Sequence, residues 1–380
     1  MKVYLCHDTR EQVNWGCKAT TSSLIDLIIS HGGKIIYKSE LSKFQTLKVS
    51  SSFNFLKKFL KYDSTLRYLI RKFLWNIQKR GGIKSGYVWK YNQFQKLAEL
   101  ITGGFIYQEE YSKMQEADMI IINGEGSIYR NELKGILIFF FAYFASSHLN
   151  KICILANHHA DLSHPNMYDI AKNVYPTIAK VVFRDPLSME KYLKLSNNNN
   201  FIYGGDAAFK YKCEFDNKYL NYDSNVNEFK YKLDNRYILV GGSSLLMRPD
   251  EKIIWPINNY KILIEKLLSL NIQIVLIAAD STDDFFLNPI SKDLGLNFIP
   301  SSTKVSTAYN ILKSARCLIT GRWHSGVLAS IGGTPVVALS SNSKKMEGLN
   351  KIFGFGDVVY DAFNVNKHAN EIFFKTKNFI

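Results

Sequence analysis

Residues 321–345 read GRWHSGVLASIGGTPVVALSSNSKK, and the fold is legible from this stretch outward. Cys317-Leu318-Ile319-Thr320 is a short apolar run of strand type, and Gly321 supplies the turn that follows it. Val327, Leu328 and Ile331 recur at helical spacing, which starts a helix near Arg322. The first-turn N–H groups of a helix have no internal partner and carry the positive end of its dipole, so anions bind there. Arg322 adds a guanidinium fork suited to planar oxyanions, and His324 adds a group able to hold or move a proton. Gly332-Gly333 ends the helix, Thr334-Pro335 opens the strand Val336-Val337-Ala338-Leu339, and Lys344 and Lys345 follow its carboxyl end. Ligands of open α/β sheets sit at such ends. Arg322, His324 and the two lysines are thus candidates for one anion site. The alternative is that Arg322 and His324 only cap and decorate a helix.

The same alternation of strand and helix runs through the whole chain. Strand-like runs fall at residues 2–6, 34–37, 119–122, 152–156, 181–183 and 201–203, and again at 237–240, 273–277, 297–299, 318–320, 336–339 and 358–360. Between the two sets, residues 214–236 turn polar and asparagine-rich, as a linker does. Repeated βα units imply parallel sheets with right-handed crossovers. The expectation is an α/β protein of two Rossmann-like domains with parallel sheets facing a cleft, 1–213 and 237–380.

Composition narrows the class. A chain of 380 residues with 46% hydrophobic and 14% aromatic content is long enough for two full cores. Cys6, Cys17, Cys153, Cys213 and Cys317 are scattered without metal or disulfide spacing, which points to a reducing compartment. MKVYLCHD enters a strand at once, with no signal-peptide core. GILIFFFAYFA, residues 135–145, is far shorter than a membrane span and reads as a buried helix. Of the +15 net charge, +11 lies between Lys43 and Lys90, where twelve basic residues accompany a single acid, Asp63. Phe53, Phe55, Phe59, Phe73 and Trp75 interleave with them, so an insertion at about 44–90 reads as a basic amphipathic helix. It either lies on an anionic membrane surface or packs on its own domain with solvated lysines. No nucleic-acid module accompanies the charge, and nucleic acid is not an expected partner. The expected location is the cytoplasm, free or peripheral on the inner face of the cytoplasmic membrane.

Further candidates sit at other strand ends. Gly124-Glu125-Gly126-Ser127 lacks dinucleotide or P-loop spacing, so no cofactor is called for; its glycines let backbone approach a ligand. Glu125 ranks ahead of Asp161 and Asp206 as a base for a hydroxyl. Arg184 ends the apolar run Val181-Val182-Phe183, where it either faces a ligand or pairs with Asp185. Gly241-Gly242-Ser243-Ser244 offers N–H groups and hydroxyls to an anion. His158-His159-x-Asp161 has the look of a metal pair, but adjacent residues of an extended segment point in opposite directions, and no metal is expected.

The C-terminal signature, Arg-x-His, a small-residue helix, Gly-x-Pro-Val-Val-Ala-Leu, then Lys345 and Gly348-Leu349, resembles that of the polysaccharide pyruvyl transferase family. Asn14-Trp15-Gly16, Asn123-Gly124-Glu125-Gly126-Ser127, Phe183-Arg184-Asp185 with Ser188, and Gly205-Asp206-Ala207-Ala208-Phe209 fit upstream landmarks in order, so the resemblance spans about residues 1–350. It implies a GT-B-like architecture and transfer of a pyruvyl group from phosphoenolpyruvate to a sugar hydroxyl of a bacterial surface glycan or its lipid-linked precursor. Arg184, Arg322, His324 and Lys344 or Lys345 would hold the donor, with His324 the proton donor or a phosphate contact. Asn14, Gly124, Gly126, Ser127, Gly242, Ser243 and Trp323 would line the substrates. Two departures bear on the donor: Asn-Trp-Gly-Cys stands where Asn-x-Gly-Asp is usual, and Trp323 replaces an aliphatic residue. A GT-B glycosyltransferase using a nucleotide-activated sugar, with Glu347 on the ribose, is the alternative, and a membrane-surface scaffold without chemistry is a third.

Overall fold

Two separate parallel sheets form in the computed structural model of the protein. The structure describes residues 1–41, 82–83, 86–196, 199–220, 222, 233, 236–247 and 256–380. Most of the basic segment at about 44–90, and most of the stretch expected as a linker, lies outside the described residues. By contacts the chain divides into one unit of Met1–Thr9 with Leu24–Ala207 and another of Arg10–Ser23 with Ala208–Ile380.

The first unit holds β1 (Lys2–Cys6), part of α1 (Trp15–Ser30), β2 (Lys34–Ser39), α2 (Phe94–Thr102), α3 (Gln108–Glu116) and β3 (Met119–Asn123). It continues through β4 (Ile128–Tyr129), α4 (Leu133–Tyr143), β5 (Ile152–His158), β6 (Ala160–Asp161), α5 (Pro165–Val174), β7 (Lys180–Phe183), α6 (Pro186–Tyr192) and β8 (Phe201–Tyr203). Six strands pair in parallel in the order β2-β1-β3-β5-β7-β8, and β4 pairs with β6 beside them. Period-two alternation puts Tyr4, Cys6, Ile120, Ile122, Cys153, Leu155, Val181 and Phe183 on one face, where they meet Phe94, Leu97, Phe140 and Met167 of the helices. Residues 135–142 of α4 are all buried in that core. Among the described residues no helix is long and apolar enough to cross a membrane. The chain leaves β1 for β2 and returns on the other side of β1 at β3, so the carboxyl ends of β1 and β3 flank the switch point.

The second unit holds α7 (Phe215–Tyr219), β9 (Tyr237–Ser243), α8 (Ile257–Leu268), β10 (Gln273–Ile277), α9 (Ser281–Leu294), β11 (Asn297–Ile299) and α10 (Val305–Ser314). Then come β12 (Cys317–Gly321), α11 (Trp323–Ile331), β13 (Val336–Ala338), α12 (Lys345–Phe353) and α13 (Ala369–Lys377). The parallel order β11-β10-β9-β12-β13 reverses at β9, so the carboxyl ends of β9 and β12 flank the second switch point. Alternate strand residues divide between two apolar layers, Leu239, Val275 and Leu318 in one and Val240, Leu276 and Ile319 in the other. A sheet covered on both faces explains why its strands read as continuous apolar runs.

Two local expectations are corrected. Within 214–236, Phe215 and Asp216 are buried in a short helix, because one aromatic anchor suffices to dock a polar stretch. Residues 358–360 form only a single bridge, Tyr360 to Leu339, since Val358 is half exposed.

Candidate functional site

The second switch point is built around Arg322, the N-cap residue of α11, whose backbone is extended with φ −98°. Its own side chain does not cap the helix but turns to α9. There Nε donates to Asp283 Oδ2 at 2.9 Å and Oδ1 at 3.2 Å, and Nη2 donates to Oδ1 at 2.7 Å. Asp280 Oδ1 lies 3.8 Å from Nη2. Both Arg322 and Asp283 are buried. Burial pushes the Asp283 carboxyl up to about 6, a rise that the facing guanidinium limits, so the pair is ionised at neutral pH. Burial also acts to raise Asp280, but Arg322 and the Thr282 N–H outweigh it and hold that carboxyl low.

Gly242 and Ser243, expected to cradle an anion, border this support. A Cβ on Gly242 would fall on the Asp283 carboxylate. Ser243 Oγ donates to the Ser340 carbonyl at 2.5 Å. Thr320 Oγ1 accepts from the Arg322 N–H at 3.1 Å and donates to the Gly242 carbonyl, also at 3.1 Å.

His324 stands one residue into α11 and is part-exposed. Its Nε2 is hydrogen bonded to Thr20 Oγ1 at 2.9 Å. Asn14, expected to touch substrate, is the cap of α1: its Oδ1 accepts from the Gly16 N–H at 2.8 Å and its Nδ2 donates to Asp280 at 3.1 Å. Trp323, expected to line the substrates, is 2% exposed and belongs to the apolar layer with Val327 and Leu328. The two lysines part company: Lys344 is exposed at the cap of α12, whereas Lys345 is buried. Glu347, in the first turn of α12, keeps a buried carboxylate oxygen, Oε2, with no hydrogen-bond partner.

In the first unit, Gly124, Glu125, Gly126, Ser127 and Arg184 gather at the ends of β3, β5 and β7. Glu125 is buried and left-handed, φ 44°, and its carboxylate accepts from Thr9 Oγ1 and from Asn123 Nδ2 at 3.3 Å. His7 and Asn157, at the ends of β1 and β5, are also left-handed. Such strain persists only where the surroundings over-determine it, and it clusters at functional sites. Gly124 lies against His158, and a Cβ on Gly126 would come within 2.9 Å of Arg184 Nη2. Ser127 closes the turn, its N–H donating to the Gly124 carbonyl at 3.2 Å. Arg184 is 1% exposed and pairs with Asp206 at 3.3 Å. Asp185 accepts from His159 Nδ1 at 2.7 Å. Burial works to raise that carboxyl, but the His159 contact outweighs it and holds it low. His158 points the other way, bonded to the Tyr175 hydroxyl at 2.5 Å.

Asp280, Asp283 and Thr20 were missed by sequence reasoning. The acid pair just past β10 was a usable signal, since strand ends carry ligand chemistry. For Thr20, 304 residues from its partner, there was none.

Two Rossmann-like units, each a parallel sheet with its switch point lined by polar side chains, define an enzyme of GT-B fold. Solved structures with this fold include MnaA of S. aureus with UDP, at TM-score 0.53 and 13% identity over 98% of this chain and 87% of that one. Another is the UDP-GlcNAc 2-epimerase from Neisseria meningitidis bound to UDP-GlcNAc, at TM-score 0.51 and 10% identity over the whole of both chains. No curated protein matches the sequence significantly. The model of the polysaccharide pyruvyl transferase family matches residues 26–343, and the chain belongs to that family. It is therefore a transferase that modifies polysaccharide.

Proposed function

We propose that the protein moves the three-carbon skeleton of phosphoenolpyruvate onto two hydroxyls of a sugar in a bacterial surface glycan or its lipid-linked precursor, forming a pyruvate ketal. Atoms balance as follows. Two C–O bonds form at donor C2 while the bond from C2 to the phosphate oxygen and the π bond between C2 and C3 break. One hydroxyl proton ends on C3, making the methyl group, and the other leaves with the phosphate. A donor carrying a phosphate and a carboxylate needs fixed cations more than apolar wall. The observation that carries the reading is Arg322, anchored by Asp283 at the start of α11, with His324 one turn-step on. Arg322 would neutralise the anionic groups, Lys344 would add a mobile charge, and His324 would protonate C3 or contact the phosphate. Glu125 and Arg184 are the first unit's candidates, as hydroxyl base and donor contact. A lipid-linked acceptor would give the basic segment a membrane on the cytoplasmic side to meet.

A nucleotide-sugar donor is the second reading, favoured by the partnerless Glu347 oxygen in the first turn of α12. One thermal-shift titration separates them. Phosphoenolpyruvate should raise the melting temperature while UDP-, GDP- and CMP-sugars do not, and Arg322→Ala should abolish the rise, since a ligand stabilises only the state that binds it. Stabilisation by a nucleotide sugar alone would reverse the assignment.

A further inference from the structure

The imidazole of His324 is seated on one face of α1. A Cβ on Gly16 would fall on the edge of the ring that runs from Cβ through Cγ to Nδ1. At the far edge, Nε2 is bonded to Thr20 Oγ1 at 2.9 Å. Gly16 and Thr20 are four apart, so on a helix they stand one above the other, spaced to take the two ends of one ring. The seat is itself fixed to the second unit. Asn14 caps α1 and bonds to Asp280, the Trp15 N–H donates to the Ala279 carbonyl at 3.2 Å, and the Trp15 indole donates to Ser301 and Thr303.

We infer that Gly16 and Thr20 are positioning residues for His324, Gly16 by leaving room for the ring and Thr20 by holding Nε2 in one orientation. Both precede residue 26, where the family match begins. A hydroxyl partner on a ring nitrogen holds the ring in one orientation, and a group that exchanges protons loses rate steeply when displaced. Gly16 is called for by this geometry and not by backbone need: it sits in an ordinary helix, where Ala is the better helix former. The effect on activity rests on the proposed role of His324; the seating does not.

The test reads both. The His324 imidazole resonances of the full-length protein without substrate, assigned by difference against His324→Ala, are compared in wild type, Gly16→Ala, Thr20→Val and Thr20→Ser. The resonances should move in Gly16→Ala and Thr20→Val and return in Thr20→Ser, while the melting temperature of Gly16→Ala does not fall. In the pyruvyl transfer assay, kcat should drop at least tenfold in Gly16→Ala and Thr20→Val, recover in Thr20→Ser, and leave the KM for phosphoenolpyruvate within about twofold. Unmoved resonances in both Gly16→Ala and Thr20→Val overturn the seating, whatever the activity. Moved resonances with unchanged kcat uphold the seating and instead remove His324 from the proposed chemistry. Should Gly16→Ala fail to fold, the Thr20 pair decides alone.

Discussion

At the scale of single residues, the second switch point is governed by Asp283. Arg322 was recognisable from its place beside Gly321 and His324. Its anchor lies 39 residues earlier and is joined to it only by the reversal of strand order at β9. Because burial raises the Asp283 carboxyl to about 6, the group is ionised above that pH and gains a proton below it. Donor affinity should therefore fall as pH drops through about 6, on loss of the charge that holds Arg322 in place. Asp283→Asn should weaken kcat/KM for the donor by roughly tenfold to a hundredfold at pH 7.5, as expected when a binding group is misplaced by about 1 Å. It should also abolish that acid limb, which donor titrations from pH 5 to 8 would detect. The residues at Gly242 and Ser243 teach a related lesson. A strand-end loop with free-looking donors is hard to tell from one whose donors serve the protein, because the competing acceptor of the Ser243 hydroxyl, the Ser340 carbonyl, is remote in sequence.

At the scale of elements, strands were the most readable feature, because each buried parallel strand is a short apolar run between turn signals. Helix α11 begins within a residue of the expected start, its boundary set by the extended backbone at Arg322. Helix α1 carries what the pattern could not show. Its Trp15 is 1% exposed and its Nε1 donates to both the Ser301 and Thr303 carbonyls, at 3.0 and 2.9 Å. Trp15→Phe keeps most of the apolar volume and orphans those buried carbonyls. A loss of about 1–3 kcal/mol in stability is expected from chemical denaturation, the desolvation cost of an unmade buried hydrogen bond. A shift below a few tenths of a kcal/mol would mean the carbonyls find other donors.

At the scale of the molecule, the division into units does not follow the order of the chain. Composition places the boundary in the polar stretch 214–236, whereas by contacts the chain divides between Ala207 and Ala208. Nothing announces that residues 10–23 count with the second unit, since that membership rests on contacts hundreds of residues apart. A fragment of residues 208–380 should consequently be an incomplete fold. It lacks Trp15 and Ala19 from the apolar layer they share with Leu239 and Trp323, and it leaves the Ala279, Ser301 and Thr303 carbonyls exposed. Removal of a buried Trp alone costs about 3–5 kcal/mol, so the fragment should melt well below the full chain or fail to show a cooperative transition. A fragment that melted with the full protein would refute this.

The same arrangement sets an order of events in synthesis. Trp15 and Thr20 are made well before their partners: Ser301, Thr303 and His324 follow 286, 288 and 304 positions later. At about 5–20 residues per second, the interval is roughly 15–60 s. Through all of it the start of α1 has none of these partners to fold against, and an apolar indole left waiting is what chaperones bind. The layer that Trp15 begins is closed only once Thr303 and the helix of His324 have been made.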